Sequence, residues 1–133
     1  MYDVLMPIDS SESRGTTQAD AVVGLPCAAE EVRVTLLHVF ENEDREEKTA
    51  TKQIRGGSAA RNRLTEAGVE VREASRVGDP ATEILAAAQE AEVDHIVLGG
   101  RKRSPLGSLL FGSVSQAVVL DSERPVTITG GAE

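Results

Sequence analysis

Five short apolar runs punctuate the chain: Val4 to Ile8, Val32 to Val39, Val69 to Val77, Ile96 to Leu98 and Val126 to Ile128. Each has the length of a β-strand. The first, second and fourth are apolar without clear alternation, the pattern of parallel strands covered on both faces. The third alternates apolar with charged residues from Val69-Glu70-Val71 onward, which places it at a sheet edge. Between the runs lie segments with helical spacing or helical end signals. The strongest begins at Asp79-Pro80, where Asp79 suits an N-cap, Pro80 a first helical position, and Ile84, Leu85, Ala88 and Ala91 mark one face. Another begins at Ser113, where Ser113-Val114-Ser115-Gln116 reads as a capping box followed by Ala117, Val118 and Leu120. A helix after Asp9 opens well on Ser11 and Glu12, contains the poor helix formers Gly15, Thr16, Thr17 and Gly24, and should end at Pro26. A further helix falls between Ala50 and Ala67, with Gly56-Gly57 either starting or interrupting it. The charged run Glu41 to Lys48 reads as a mobile surface loop.

Strands alternating with helices predict an α/β fold, a doubly wound, Rossmann-like sheet of five parallel strands with about four helices. At 133 residues this is one domain, residues 1–133. In such sheets ligands bind beyond the carboxyl ends of the strands, at the switch in strand order. Attention therefore falls on the residues just after Ile8, Val39 and Leu98.

Charge narrows the candidates. The net charge is −8, and the basic residues are mostly Arg, with Lys only at 48, 52 and 102. Such a surface repels nucleic acid and anionic lipid. No apolar run reaches membrane-spanning length, and no basic region precedes the first strand, so the expected setting is cytoplasmic. The acidic bias, with few aromatics and many Ala, Val and Thr, resembles proteins of salt-loving cells, so a halophilic archaeon is the expected source. Cys27 is the single cysteine; it forms no internal disulfide and is expected as a small buried hydrophobe. His38 and His95 lie on predicted strands, and neither has an acid or metal partner by spacing. Phosphate-loop, nucleophile-elbow and dinucleotide fingerprints are absent, so catalysis beyond slow ATP hydrolysis has little support.

The chemistry sits at two strand ends. Pro7-Ile8-Asp9-Ser10-Ser11 puts a carboxylate after the first strand, where it either accepts hydrogen bonds from a ligand or caps a helix. After the fourth strand, Gly99-Gly100-Arg101-Lys102-Arg103 joins paired glycines to three consecutive cations, and the segment closes on Gly112-Ser113 at a helix start. Paired glycines let backbone approach a ligand, and free amides at a helix N-terminus suit a phosphate. Alternatively, the glycines only turn the chain and the cations pair with neighbouring acids.

Leu5-Met6-Pro7-Ile8-Asp9-Ser10-Ser11, Thr35-Leu36-Leu37-His38-Val39, Gly78-Asp79-Pro80 and Gly99 to Val114 occur in the order seen in universal stress proteins, and the chain resembles that family nearly throughout. The last segment resembles the family's nucleotide signature, in which Gly, two residues, Gly, nine residues and Gly-Ser follow one another. The resemblance implies a stress or signalling module that binds ATP, with Mg2+ as a possible companion. Adenine would lie at Asp9, Val39 and Leu98, ribose at Pro7 and Gly99, and phosphates at Gly112, Ser113 and the Val114 amide, with Arg101 and Lys102 alongside. Lys102 replaces the second signature Gly. It either fills the phosphate pocket, leaving an interaction protein without nucleotide, or turns its ammonium toward the phosphates; retained binding is the expectation. The resemblance also implies a homodimer, formed by the C-terminal strand Arg124 to Thr129 pairing its edge with a second copy.

Overall fold

The computed structural model describes residues 1–100 and 112–130, with side chains described outside 43–54. Ten elements follow one another: β1 (Tyr2–Pro7), α1 (Glu12–Val23), α2 (Ala28–Glu31), β2 (Val32–Phe40), α3 (Glu43–Glu66), β3 (Glu70–Val77), α4 (Pro80–Glu90), β4 (His95–Leu98), α5 (Ser113–Asp121) and β5 (Val126–Ile128). The strands form one parallel sheet in the order β3-β2-β1-β4-β5. The alternating third run does lie at an edge, as its half-charged pattern requires.

Alternation along β1 divides the core in two. Val4, Met6 and Ile8 face Ala19 and Val22 of α1 and Ala60 and Leu64 of α3. Leu5 faces the opposite way, with Leu37, Ile96 and Leu98, toward Ile84 and Ala88 of α4 and Val118 of α5. Helices therefore cover both faces, which is why the central strands carry apolar residues at consecutive positions.

Several local expectations change. The helix placed between Ala50 and Ala67 starts at Glu43 and runs unbroken through Gly56-Gly57, so most of the charged run Glu41 to Lys48 is helical rather than a loop. Glu, Lys and Arg are good helix formers, and the glycine pair is a packing feature rather than a break. A short α2 raises the helix count to five among the described residues. Cys27 is exposed and precedes α2 with a left-handed backbone, φ 58°; the turn that Pro26 imposes carries it away from the core. Helix α1 ends at Val23 with Gly24 as its C-cap, ahead of Pro26, since the residue before a proline is itself pushed out of helical geometry. Ser113 is the first residue of α5 and Gly112 its N-cap, with no side-chain cap bond, so the capping box does not form. Asp79 caps α4 as expected, its carboxylate accepting from the Thr82 amide.

At the far end of the sheet His95 bridges three strands. Its Nδ1 lies 2.8 Å from the Tyr2 hydroxyl and its Nε2 2.6 Å from that of Thr127. Burial pushes the imidazole below its ordinary value. The unfolded chain therefore binds this proton more readily than the folded one. His95 contributes stability that is present above the ordinary histidine range and is lost as pH falls through it toward the lower folded value. Chemical denaturation across that window should show the loss, and His95→Gln should flatten it. An unchanged slope in the variant would assign the effect elsewhere.

Candidate functional site

Strands β1 and β4 pair only at Val4–His95 and Leu5–Ile96, whereas β1 stays with β2 through Pro7–Leu37 and the Ile8 amide donates to the Leu37 carbonyl. Past Leu5 the sheet splits between β1 and β4. This is the switch point, because the crossover after β1 goes to one side of the sheet order and β4 lies on the other.

A cleft of about 260 Å³ opens there. All eight expected residues that the structure describes line it: Pro7, Asp9, Val39, Leu98, Gly99, Gly112, Ser113 and Val114. The other two, Arg101 and Lys102, lie outside the described residues.

Asp9 lines the cleft, and the helix cap that was its alternative role falls to another residue. Asp9 Oδ1 accepts from the Ser11 amide at 2.8 Å and its Oδ2 from Arg14 Nε at 2.8 Å, yet the side chain is half exposed at the cleft wall. The N-cap itself is Ser11, whose hydroxyl accepts from the Arg14 amide. At the opposite wall Gly112 leads into α5 with φ −71° and ψ 161°. The first amides of that helix have no intrahelical acceptor and carry the positive end of its dipole, a seat for an anion. Among the described residues no group of three or more His, Cys, Asp or Glu side chains comes together around a metal position.

The two glycines after β4 have different reasons. A Cβ on Gly100 would meet the Thr129 carbonyl oxygen at 2.0 Å, so its bareness serves the packing of the segment after β5. A Cβ on Gly99 would fall 3.1 Å from Gln18 Oε1 and 3.4 Å from Arg14 Cδ, on the cleft side. Only the first of the pair thus fits the expectation of backbone exposed to a ligand.

Arg14 and Gln18, one helical turn apart on α1, also line the cleft and were not anticipated. The available signal was a polar pair on the stripe that continues to Val22. Gln18 is 2% exposed, and its Nε2 donates to the Pro7 carbonyl at 2.8 Å and the Val97 carbonyl at 3.2 Å. It ties β1 to β4 where their own ladder has ended.

A model of the universal stress protein family matches residues 1–130, and the chain belongs to that family. A universal stress protein of Methanocaldococcus jannaschii is 30% identical over 89 residues, covering 67% of this chain and 54% of that protein. The chain spans about half the length of the curated relatives it matches. A solved universal stress protein of Archaeoglobus fulgidus superposes with a TM-score of 0.83 at 26% identity, covering 98% of this chain and 99% of that one. A universal stress protein from Archaeoglobus fulgidus solved in complex with dAMP superposes at 0.78 with 20% identity, covering 98% of each chain. The Rossmann-like fold is therefore shared along nearly the whole length. No helix among the described residues is long and apolar enough to cross a membrane.

Proposed function

We propose that the protein is a nucleotide-binding stress-response module of the cytoplasm that holds ATP or a related adenine nucleotide in the cleft between β1 and β4. The observation that carries this reading is that eight residues expected from the family resemblance line one cleft, although they come from β1, β2, β4, the segments that follow β1 and β4, and α5. Adenine lies between Asp9, Val39 and Leu98, ribose over Pro7 and Gly99, and the phosphates against Gly112, Ser113 and the Val114 amide. The ligands of solved family members, dAMP, cAMP and AMP, support adenine as the base. The cleft offers what such a ligand needs, with amides at a helix N-terminus for the anion and an apolar floor from Ile84 and Leu98 beneath it. Any Mg2+ would travel on the phosphates, since no carboxylate cluster converges among the described residues.

Protein purified from its own cells or from an expression host, then denatured, should release adenine nucleotide detectable by ultraviolet absorbance and mass spectrometry. Absence of bound nucleotide, together with no calorimetric binding of ATP at millimolar concentration in high-salt buffer, would overturn the reading.

The same reading makes the protein a homodimer. Among the described residues strand β5 has β4 on one side only, and its outer backbone groups invite a second copy. Val119 and Leu120 of the adjoining α5 are exposed, 45% and 74%. Light scattering at high salt and micromolar concentration should give twice the chain mass of 14.1 kDa. A monomer mass would remove the dimer from the proposal.

A further inference from the structure

Gln18 leaves one polar atom to account for. Its amide nitrogen is committed to the Pro7 and Val97 carbonyls, and this fixes the orientation of the group, because the reversed amide would press oxygen against two oxygens. Oε1 consequently points away from both strands, toward Gly99. Among the described residues no donor reaches it, in a side chain 2% exposed that lines the cleft. A buried acceptor without a donor is costly unless something supplies one.

Its position identifies the donor. The sheet order sets β2, β1 and β4 side by side, so a ligand reaching from Val39 and Asp9 to the α5 N-terminus passes over Pro7 and Gly99 midway. The Pro7 and Val97 carbonyls would be the natural acceptors at this midpoint. Gln18 takes up both and offers Oε1 in their place. Between an aromatic base and an anionic end, a nucleotide carries its sugar hydroxyls.

We propose that Gln18 reads the sugar of the bound nucleotide, with Oε1 accepting a hydrogen bond from a ribose hydroxyl across Gly99. This inference rests on the adenine-nucleotide reading above and adds to it a residue that sets sugar specificity. Removing the hydroxyl leaves the acceptor buried under the ligand and shut off from water, which should weaken binding by roughly 5- to 30-fold.

The test compares AMP, 2′-deoxy-AMP and 3′-deoxy-AMP by calorimetry on the unaltered protein. At least one deoxy ligand should bind weaker by that factor, and Gln18→Met should bring all three within about twofold of one another. Because Gln18→Met also deprives two strand carbonyls of their donor, a second readout covers the case in which it does not fold. The 13C shift of the Gln18 side-chain carbonyl in the parent protein should move with AMP and stay near its free value with the discriminated deoxy ligand. AMP binding with both deoxy ligands equal to it, or an unmoved Gln18 carbonyl, overturns the sugar contact while leaving the nucleotide reading intact. No binding of AMP or ATP overturns both.

Discussion

Gly56→Ala is expected to destabilise the domain by about 3 kcal/mol, at the upper end of what overpacking usually does, and to lower its melting temperature by roughly 10 °C. Helix propensity alone predicts the opposite sign. Gly56 lies inside α3, where alanine is favoured over glycine by about 1 kcal/mol. Sterics decide the outcome. A Cβ at Gly56 would lie 2.0 Å from the Asp9 carbonyl oxygen and 3.1 Å from that of Ser11. Both are backbone atoms and cannot rotate aside, so α3 must lift off the β1–α1 turn. Gly15 stands across the same contact, its absent Cβ 2.4 Å from the Gly56 carbonyl oxygen. The control is Gly24→Ala at the α1 C-cap, where the nearest atom is 3.4 Å away and φ is −74°; its effect should stay below about 1 kcal/mol. Thermal denaturation of the two variants separates the cases. If Gly56→Ala melts at or above the parent temperature, the helices do not approach as closely as described.

That contact marks where the sequence could be read and where it could not. The order of strands and helices followed from local pattern: both-face burial of β1, β2 and β4 left consecutive apolar residues, and Asp79-Pro80 announced α4 directly. The Gly56-Gly57 pair was ambiguous because its meaning is tertiary. Local rules treat two glycines as a weak point in a helix, whereas here Gly56 lets α3 rest on the turn that carries Asp9 and Gly57 leaves room for the His38 ring. The spacing from Gly99 to Gly112-Ser113 picked out the two walls of the cleft, and both glycines after β4 looked alike from the sequence. Only the position of Thr129, 29 residues from Gly100, separates the packing glycine from the one on the cleft side. Gln18 was hidden for the same reason. A glutamine in α1 next to Ala19 carries no sign that two carbonyls from separate strands converge on it.

The sharpest functional expectation concerns the anion end of the cleft. Ser113→Pro should weaken ATP about tenfold or more while leaving adenosine within about twofold and the melting temperature unchanged or raised. The substitution is suited to its place. Ser113 is the first residue of α5, the position where proline fits because the N–H it lacks has no helical acceptor. Gly112 before it is already extended, with φ −71° and ψ 161°, the conformation that a following proline requires. The fold therefore loses nothing, but the site loses the Ser113 amide and hydroxyl together. A hydrogen bond to a charged phosphate oxygen is worth about 1.5–3 kcal/mol, and each ~1.4 kcal/mol is tenfold in affinity. Adenosine has no phosphate and should not register the change. Ser113→Ala keeps the amide and removes only the hydroxyl, so its ATP affinity should fall between parent and Ser113→Pro. Calorimetry of ATP and adenosine against the three proteins decides it. If Ser113→Pro weakens both ligands in parallel, the loss comes from disturbance of the cleft as a whole. If it weakens neither, the phosphates do not rest on α5, and the orientation of the nucleotide in the cleft must be reversed.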